Sequence, residues 1–266
     1  MLSSCWLAFL YLFSSSPMIC HHLQNLIARS KYYTGIRELR RDVIFDFLTS
    51  KDIRDNEKML LLYSYILSGN SNCIDIGSHY GKYLEVFLRL APQGQHLAIE
   101  PLPAYASLLR SQYPMATVHE VALGDSNGLV DFHRVENLEG WSGLKLSNYP
   151  GRYSTELLQV ELTTLDLLLT RVNIRPDLIK IDVEGAELDV LRGATATLKQ
   201  FKPYLVFEHF VDAYRPYGIE PRDIWAFLCS ELAYRIFSID GVGPLSESEF
   251  THLADSRLCW NFVAHS

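Results

Sequence analysis

The feature that most constrains this chain is an alternation. Short apolar runs stand at 72–76 (N-C-I-D-I), 95–99 (Q-H-L-A-I), 116–123, 178–183 (L-I-K-I-D-V), 204–208 (Y-L-V-F-E) and 234–239. Between and after them lie stretches with helical patterning at 82–90, 103–112, 164–171, 186–200 and 221–232. Strands that alternate with helices build βαβ units, and the expected fold is α/β with a doubly wound, mostly parallel sheet. Pro103 and Pro221 fall where a first helical turn begins, a position that suits a residue without an amide proton.

The alternation is interrupted once. G-D-S-N-G at 124–128 carries an Asn-Gly turn between V-H-E-V-A-L and L-V-D-F-H-R-V, which predicts a β-hairpin insertion. Residues 136–155 then mix turn formers with aromatics, among them Gly140, Trp141, Gly143 and Tyr153. A loop of that length inside a compact domain is usually functional. With F-V-D-A-Y-R-P-Y-G at 210–218 it is the expected wall of an acceptor pocket, where tyrosines, Trp141 and Arg215 suit a polar ring.

Upstream, Leu39, Val43 and Phe47 recur at steps of four, and Leu60, Leu61, Tyr63, Ile66 and Leu67 precede Gly69-Asn70. This predicts N-terminal helices over 36–69 and a main domain over 70–266. Residues 5–13 (C-W-L-A-F-L-Y-L-F) are unbroken apolar, with no charged side chain before Arg29. The basic segment that opens a secretory signal is missing, and the run is far short of a membrane span. Residues 1–35 are expected to be a hydrophobic tail, with signal or anchor as the other reading. Only residues 1–20 offer a segment for membrane contact, as the minor alternative, and the expected location is the cytoplasm.

Composition removes other classes. The net charge is -7 and the longest basic stretch is R-E-L-R-R at 37–41, so no face is expected to track a nucleic-acid backbone. The five cysteines (5, 20, 73, 229, 259) are scattered, odd in number and without a C-x-x-C, which argues against a disulfide framework or a zinc site.

The chemistry gathers at strand ends. In C-I-D-I-G-S-H-Y-G (73–81), Gly77 and Gly81 allow a ligand to approach the main chain closely after a strand. The G-x-G-x-x-G spacing of a dinucleotide loop and the G-K-[ST] of a triphosphate loop are both missing. Asp75 would repel a pyrophosphate and welcome a cation. In A-I-E-P (98–101), Glu100 stands 19 residues after Gly81, placed to accept hydrogen bonds from both ribose hydroxyls. Two such acids fit S-adenosylmethionine better than NAD. In D-L-I-K-I-D-V-E-G-A-E (177–187), Asp182 ends a buried strand, with Glu184 and Glu187 behind it at a helix start, where an acid also favours the dipole.

D-I-G-S-H-Y-G, A-I-E-P-L-P-A-Y, A-L-G-D-S-N-G, L-T-T-L-D, I-K-I-D-V-E-G-A-E-L-D-V-L-R-G-A and P-Y-L-V-F-E, in this order over roughly 70–210, resemble the FkbM family of methyltransferases. The resemblance implies a Rossmann-like class I fold and S-adenosylmethionine as cofactor. It also implies O-methylation of a hydroxyl on a sugar or secondary metabolite. It implies cofactor contacts at Asp75, Gly77, Ser78, His79, Tyr80, Gly81, Glu100 and Pro101, with Gly124 and Asp125 near the adenine. Asp182 is expected to orient the acceptor, to contact the methionine moiety of the cofactor, or to help hold a cation. The family often has Ala-Asn where this chain has Ser78-His79.

Methyl transfer to oxygen needs an aligned acceptor and can use a base. Asp182, Glu208 and His209 are the expected catalytic residues, with His209 the favoured base because an imidazole titrates near neutrality. Glu184 and His79 are further candidates. Asp182, Glu184 and Glu208 could together hold a divalent cation, but their spacing matches no metal motif, and no metal is expected. The rival readings are a NAD-dependent oxidoreductase and a non-catalytic S-adenosylmethionine-binding module.

Overall fold

The structure, a computed structural model, describes residues 51–136, 138–147, 153–256 and 259–266. The apolar run at 5–13, most of the helical pattern at 36–69 and the expected boundary at residue 35 lie outside those residues. The chain divides into two compact units, 1–53 and 54–266. Of the first, residues 51–53 are described and helical. No helix among the described residues is long and apolar enough to cross a membrane.

The second unit is built on a seven-stranded sheet of order β3-β2-β1-β7-β8-β10-β9. Its strands are β1 (Cys73–Ile76), β2 (His96–Ile99), β3 (Thr117–His119), β7 (Leu178–Ile181), β8 (Tyr204–Glu208), β9 (Arg235–Ser238) and β10 (Asn261–His265). The first five in spatial order are parallel, and β10 runs antiparallel between β8 and β9. The helices are α1 (Lys82–Leu90), α2 (Pro103–Gln112), α3 (Leu165–Val172), α4 (Glu187–Arg192), α5 (Thr195–Phe201), α6 (Val211–Tyr214), α7 (Pro221–Trp225) and α8 (Glu247–Asp255).

Each central strand is buried along its whole length because helices cover both sheet faces. Ile74, Ile76, Ile179, Ile181, Leu205 and Phe207 join one core cluster, which extends to Leu168 of α3, Leu188 of α4 and Phe250 of α8. Cys73, Leu178 and Val206 point the other way, onto Phe87 of α1 and onto Met59 and Tyr63 of the helical stretch 54–66. Alternate residues of one strand therefore meet different helix layers, and every polar side chain is committed to one of them.

Three expectations need correcting. First, the run at 116–123 is two strands. His119 closes β3, where its carbonyl accepts the amide of Glu100, and the chain turns before β4 (Ala122–Leu123). Second, the turn at 124–128 does not close a hairpin between its flanking strands. β4 and β5 (Gly128–Val135) lie on either side of β6 (Thr155–Thr163) in a separate sheet of order β4-β6-β5. β5 pairs antiparallel with β6 along its full length. The inserted antiparallel pair is therefore closed by the long loop, and β6 takes up the end of the segment expected to be loop.

Third, the helix expected over 186–200 breaks at Gly193. A Cβ there would lie 1.9 Å from the Gly124 carbonyl oxygen, so the helix layer can touch the β4 end only through a glycine. The amide of Asp166 donates to the Gly193 carbonyl at 3.0 Å. The Asp166 carboxylate then caps α5 from α3, accepting from the amides of Ala196 and Thr197 at 2.8 Å each and from the Thr197 hydroxyl at 2.7 Å. Asp166→Ala is expected to cost about 1–2 kcal/mol of stability through loss of this cap. Urea denaturation checks this, with an unchanged slope showing that only the midpoint has moved.

Candidate active site

The carboxyl ends of β1, β2 and β7 meet around one cavity. The loop after β1 enters through Gly77 at φ +77, where a Cβ would sit 1.7 Å from the Asp182 carbonyl oxygen. Its amides are largely spent on the protein itself. Gly77 and Ser78 both donate to the Ile99 carbonyl, Gly81 donates to the Ser78 carbonyl, and His79 donates to Glu100 Oε2 at 2.8 Å. His79 accommodates this turn at φ 49, a left-handed conformation that is uncommon for a residue with a side chain. The Ser78 hydroxyl turns back to the Asp75 carbonyl at 2.7 Å.

The cavity is lined by Gly77, His79, Glu100 and Pro101 on one side and by Asp182, Val183 and Glu184 on another. Val121, Leu123 and Phe132 supply an apolar wall, and Glu139, Gly140, Ser142 and Leu144 cover it. The cover falls inside the loop expected at 136–155, whereas the apolar wall of Val121, Leu123 and Phe132 was not anticipated. A run such as V-A-L carries no mark in sequence of which ligand it will face.

Other expected site residues stand elsewhere among the described residues. Gly81 opens α1 at φ +86, and a Cβ there would press on Leu109 of α2 and on Tyr113 just after it, at 2.7 and 2.6 Å, so both the turn and the packing favour this glycine. Tyr80 is half exposed. Gly124 is the contact for Gly193, and Asp125 lies at the surface on the same turn, while Leu123 before them reaches the cavity. Asp75 is buried and turned away from the cavity, onto Lys180 of β7.

His209 is the clearest correction. Along β8 the odd positions Leu205 and Phe207 pack with Phe250, and His209 continues that face. Its ring is 1% exposed, stacked 4.2 Å from Tyr214 and 5.9 Å from Phe250, both at 13°. Its nearest acid is Glu187, with Nδ1 3.9 Å from Oε2. Asp182 continues the opposite parity, through Leu178 and Lys180, so the two residues expected to share a cavity face opposite sides of the sheet. Glu187 is itself committed, because its Oε1 accepts the amides of Val183 and Gly185 and holds that loop in shape.

The site's electrostatics turn on Lys180, 4% exposed in the middle of β7. Its ammonium lies 3.1 Å from Asp182 Oδ2 and 3.7 Å from Asp75 Oδ1, and 4.7 Å over the ring of Tyr83. Burial alone would lower this lysine, but Asp182 and Asp75 hold it above its ordinary value. Burial would likewise raise Asp182, and the Lys180 charge instead keeps it below the usual carboxylate range. Glu208 is driven well above that range, by burial first and by Asp182 second. Atoms of Asp182, Glu184 and Glu208 come within 4.8 Å of one another, near enough for a divalent cation to bridge. Lys180 already supplies a positive charge at Asp182, and we assign no metal there.

The strand order, the glycine turn after β1 and the acid after β2 define a Rossmann-like class I methyltransferase fold. Residues 75–236 match the Methyltransferase FkbM domain, and the chain belongs to that family. It is 33% identical to the 2-O-methyltransferase NoeI of Sinorhizobium fredii (strain NBRC 101917 / NGR234) over 47% of this chain and 58% of that protein. It is 29% identical to Methyltransferase 1 of Beauveria bassiana (strain ARSEF 2860), again over 47% of this chain and 58% of the relative. The chain thus spans just over half the length of these curated relatives. Among solved structures, the methyltransferase FkbM from Methylobacillus flagellatus KT is similar with a TM-score of 0.47 at 16% identity, over 75% of this chain and 44% of that one.

Glu100 makes the site pH-dependent before any ligand binds. Burial pushes its carboxyl up to about 7, against the pull of the Leu102 and His79 amides. A folded-state value above the unfolded one stabilises the protein fully below the unfolded value and loses that contribution as pH rises through about 7. Unfolding free energy is expected to fall by at most about 3 kcal/mol between pH 4.5 and 8 from this group. Glu100→Gln should remove that slope, as thermal or urea melts across the pH range would show.

Proposed function

We propose that this chain transfers a methyl group from S-adenosylmethionine to a hydroxyl of a sugar, glycan or related small metabolite. The observation that carries the reading is a pair of strand-end carboxylates on one cavity, Glu100 after β2 and Asp182 after β7. The donor set fits that cofactor. Glu100 would accept from the ribose hydroxyls, and Val121, Leu123 and Phe132 offer apolar surface to a flat base. His79 lines the same wall, and its Nε2 is buried without a hydrogen-bond partner. The relative from Sinorhizobium fredii is named for 2-O-methylation, which supports oxygen as the acceptor atom here.

Bound S-adenosylmethionine supplies an electrophilic methyl on a positively charged sulfur. The protein's part is charge and alignment. Asp182, held ionised and facing the cavity, would attract a cation and take the acceptor's hydroxyl proton. Glu208 stands behind it as its hydrogen-bonded carboxyl partner. A positioned base contributes typically ~10²–10⁴-fold, which bounds what Asp182→Asn should cost in turnover.

The reading also requires movement. The cavity has a volume of about 60 Å³, well below the roughly 300–1,000 Å³ of ligand pockets. Its cover is the segment 138–147, whose Gly143 pairs with His133 and whose Lys145 amide donates to the Tyr217 hydroxyl at 3.1 Å. The segment is held further by the Val135 amide donating to the Ser142 hydroxyl, by Arg134 against Glu139 and by Lys145 over the Tyr217 ring. These contacts would have to give way for the cofactor to enter, Trp141 moving with them.

S-adenosylhomocysteine binding, measured by calorimetry, tests the proposal. Glu100→Ala should weaken it by about 1–3 kcal/mol. Ribose hydroxyls donate to the ionised carboxylate, so wild-type affinity should fall as pH drops below about 7, by up to tenfold per unit. Unchanged affinity in the variant would remove Glu100 from the site. Fluorescence that differs between wild type and Trp141→Phe should change on binding, and a constant difference would rule out motion of the cover.

A further inference from the structure

Lys180 is the one described lysine buried inside a strand of the main sheet, and the methyl transfer proposed above has no step at it. A lysine at that position is costly. Taking its charge from water is unfavourable unless partners compensate, and a methionine would fill similar space in a strand surrounded by apolar cores. Two carboxylates compensate it, and they are not equivalent. Asp75 is its register partner on β1, 1% exposed, and faces no cavity. Asp182 is the nearer, and its side chain is 35% exposed at the cavity wall.

We propose that Lys180 is a positioning residue for the methyl-transfer site: anchored by Asp75 and by the Tyr83 ring, its ammonium aims the Asp182 carboxylate at the cavity and keeps its negative charge there. This deepens the function proposed above and rests on it. The geometry explains why two acids flank one lysine. Asp75 faces the buried ammonium at 3.7 Å, where burial pushes its carboxyl up and the Lys180 charge opposes that rise. Asp182 is the carboxylate that carries negative charge to the place where a cationic group would be received. Lys180 also decides between the two acids that touch. Asp182 sits beside Glu208, and two ionised carboxylates in contact are unfavourable. The lysine lies on the Asp182 side, so of the two it is Glu208 whose carboxyl is driven up.

The groups that face this pair come from every neighbouring element. Asp75 lies on β1, and His79 and Tyr80 follow it in the loop. Tyr83 is on α1 and Tyr63 on the helical stretch 54–66. Glu184 and Glu187 follow β7, and Glu208 ends β8. Among them Lys180 is the fixed cation. His79, held below its ordinary value by burial, is neutral near pH 7.

Carboxyl carbon NMR of the full chain labelled at aspartate tests this without acceptor or cofactor, with Asp182→Asn identifying the Asp182 signal. In the wild type, Asp182 should titrate below the ordinary value of about 3.9. Titration at or above that value overturns the proposal, whatever the variants do. In Asp75→Asn/Lys180→Met, which removes the ion pair without stranding a buried charge, the Asp182 midpoint should rise by at least one pH unit, a tenfold change in its proton affinity. A folded double variant with an unmoved midpoint also overturns it, because a lysine that merely supports packing would leave the titration alone. Calorimetry with S-adenosylhomocysteine on the wild-type sample keeps the two ideas apart. Absent binding would sink the cofactor reading and leave the titration result standing.

Discussion

The structure depends on backbone meeting backbone where the strands end. Gly77 touches the Asp182 carbonyl, and Gly185 at φ +104 touches the Ala213 carbonyl, with hypothetical Cβ atoms at 1.7 and 2.2 Å. The loops after β1 and β7 therefore meet backbone to backbone, and the loop after β7 meets the backbone of α6 in the same way. Such contact fixes the loops' relative heights more tightly than side-chain packing could, since no rotamer can adjust it. It also determines what can line the cavity. Side chains that leave this stack upward, such as His79, Asp182 and Glu184, reach it beside Glu100, Leu123 and Phe132 from other elements.

Much of the fold was legible because both sheet faces are covered. A strand buried on two sides reads as an unbroken apolar run, and β1, β2, β7, β8 and β9 lie within a residue or two of where such runs stand. What escaped depended on pairing distant in sequence. β10 is held between β8 and β9, with Phe262 opposite both Phe207 and Ser238, and nothing in N-F-V-A-H announces those partners. The Asn-Gly turn was read as a hairpin because turn chemistry is local. The choice of β6 as neighbour to both β4 and β5 is not local.

The candidate site shows the same division. Glu100 and Asp182 could be picked out because an acid that ends an apolar strand has few places to go. For His209 that rule was insufficient, since strand parity decides which face a terminal residue joins. Parity was readable: Leu205 and Phe207 share its side, and Val206 shares that of Glu208. Lys180 was readable too, as a charge inside L-I-K-I. A strand buried on both faces does not hold a lysine without a counter-charge, and the nearest acids in sequence and register are Asp182 and Asp75.

The amide ledger of the β1 loop bears on which kind of cofactor suits this sheet. A dinucleotide site offers free backbone N–H groups and a helix N-terminus to a pyrophosphate. Here the amides of Gly77, Ser78, His79 and Gly81 already donate to Ile99, Glu100 and Ser78. A diphosphate would have to displace these bonds, and it would then meet Asp182 across the cavity. Both effects oppose an anion. A ligand that presents hydroxyls to Glu100 and a positive charge toward Asp182 meets neither obstacle, because it needs acceptors and negative charge. The same loop that is poorly built for NAD is therefore suited to a sulfonium nucleoside, and the distinction lies in hydrogen bonds already made.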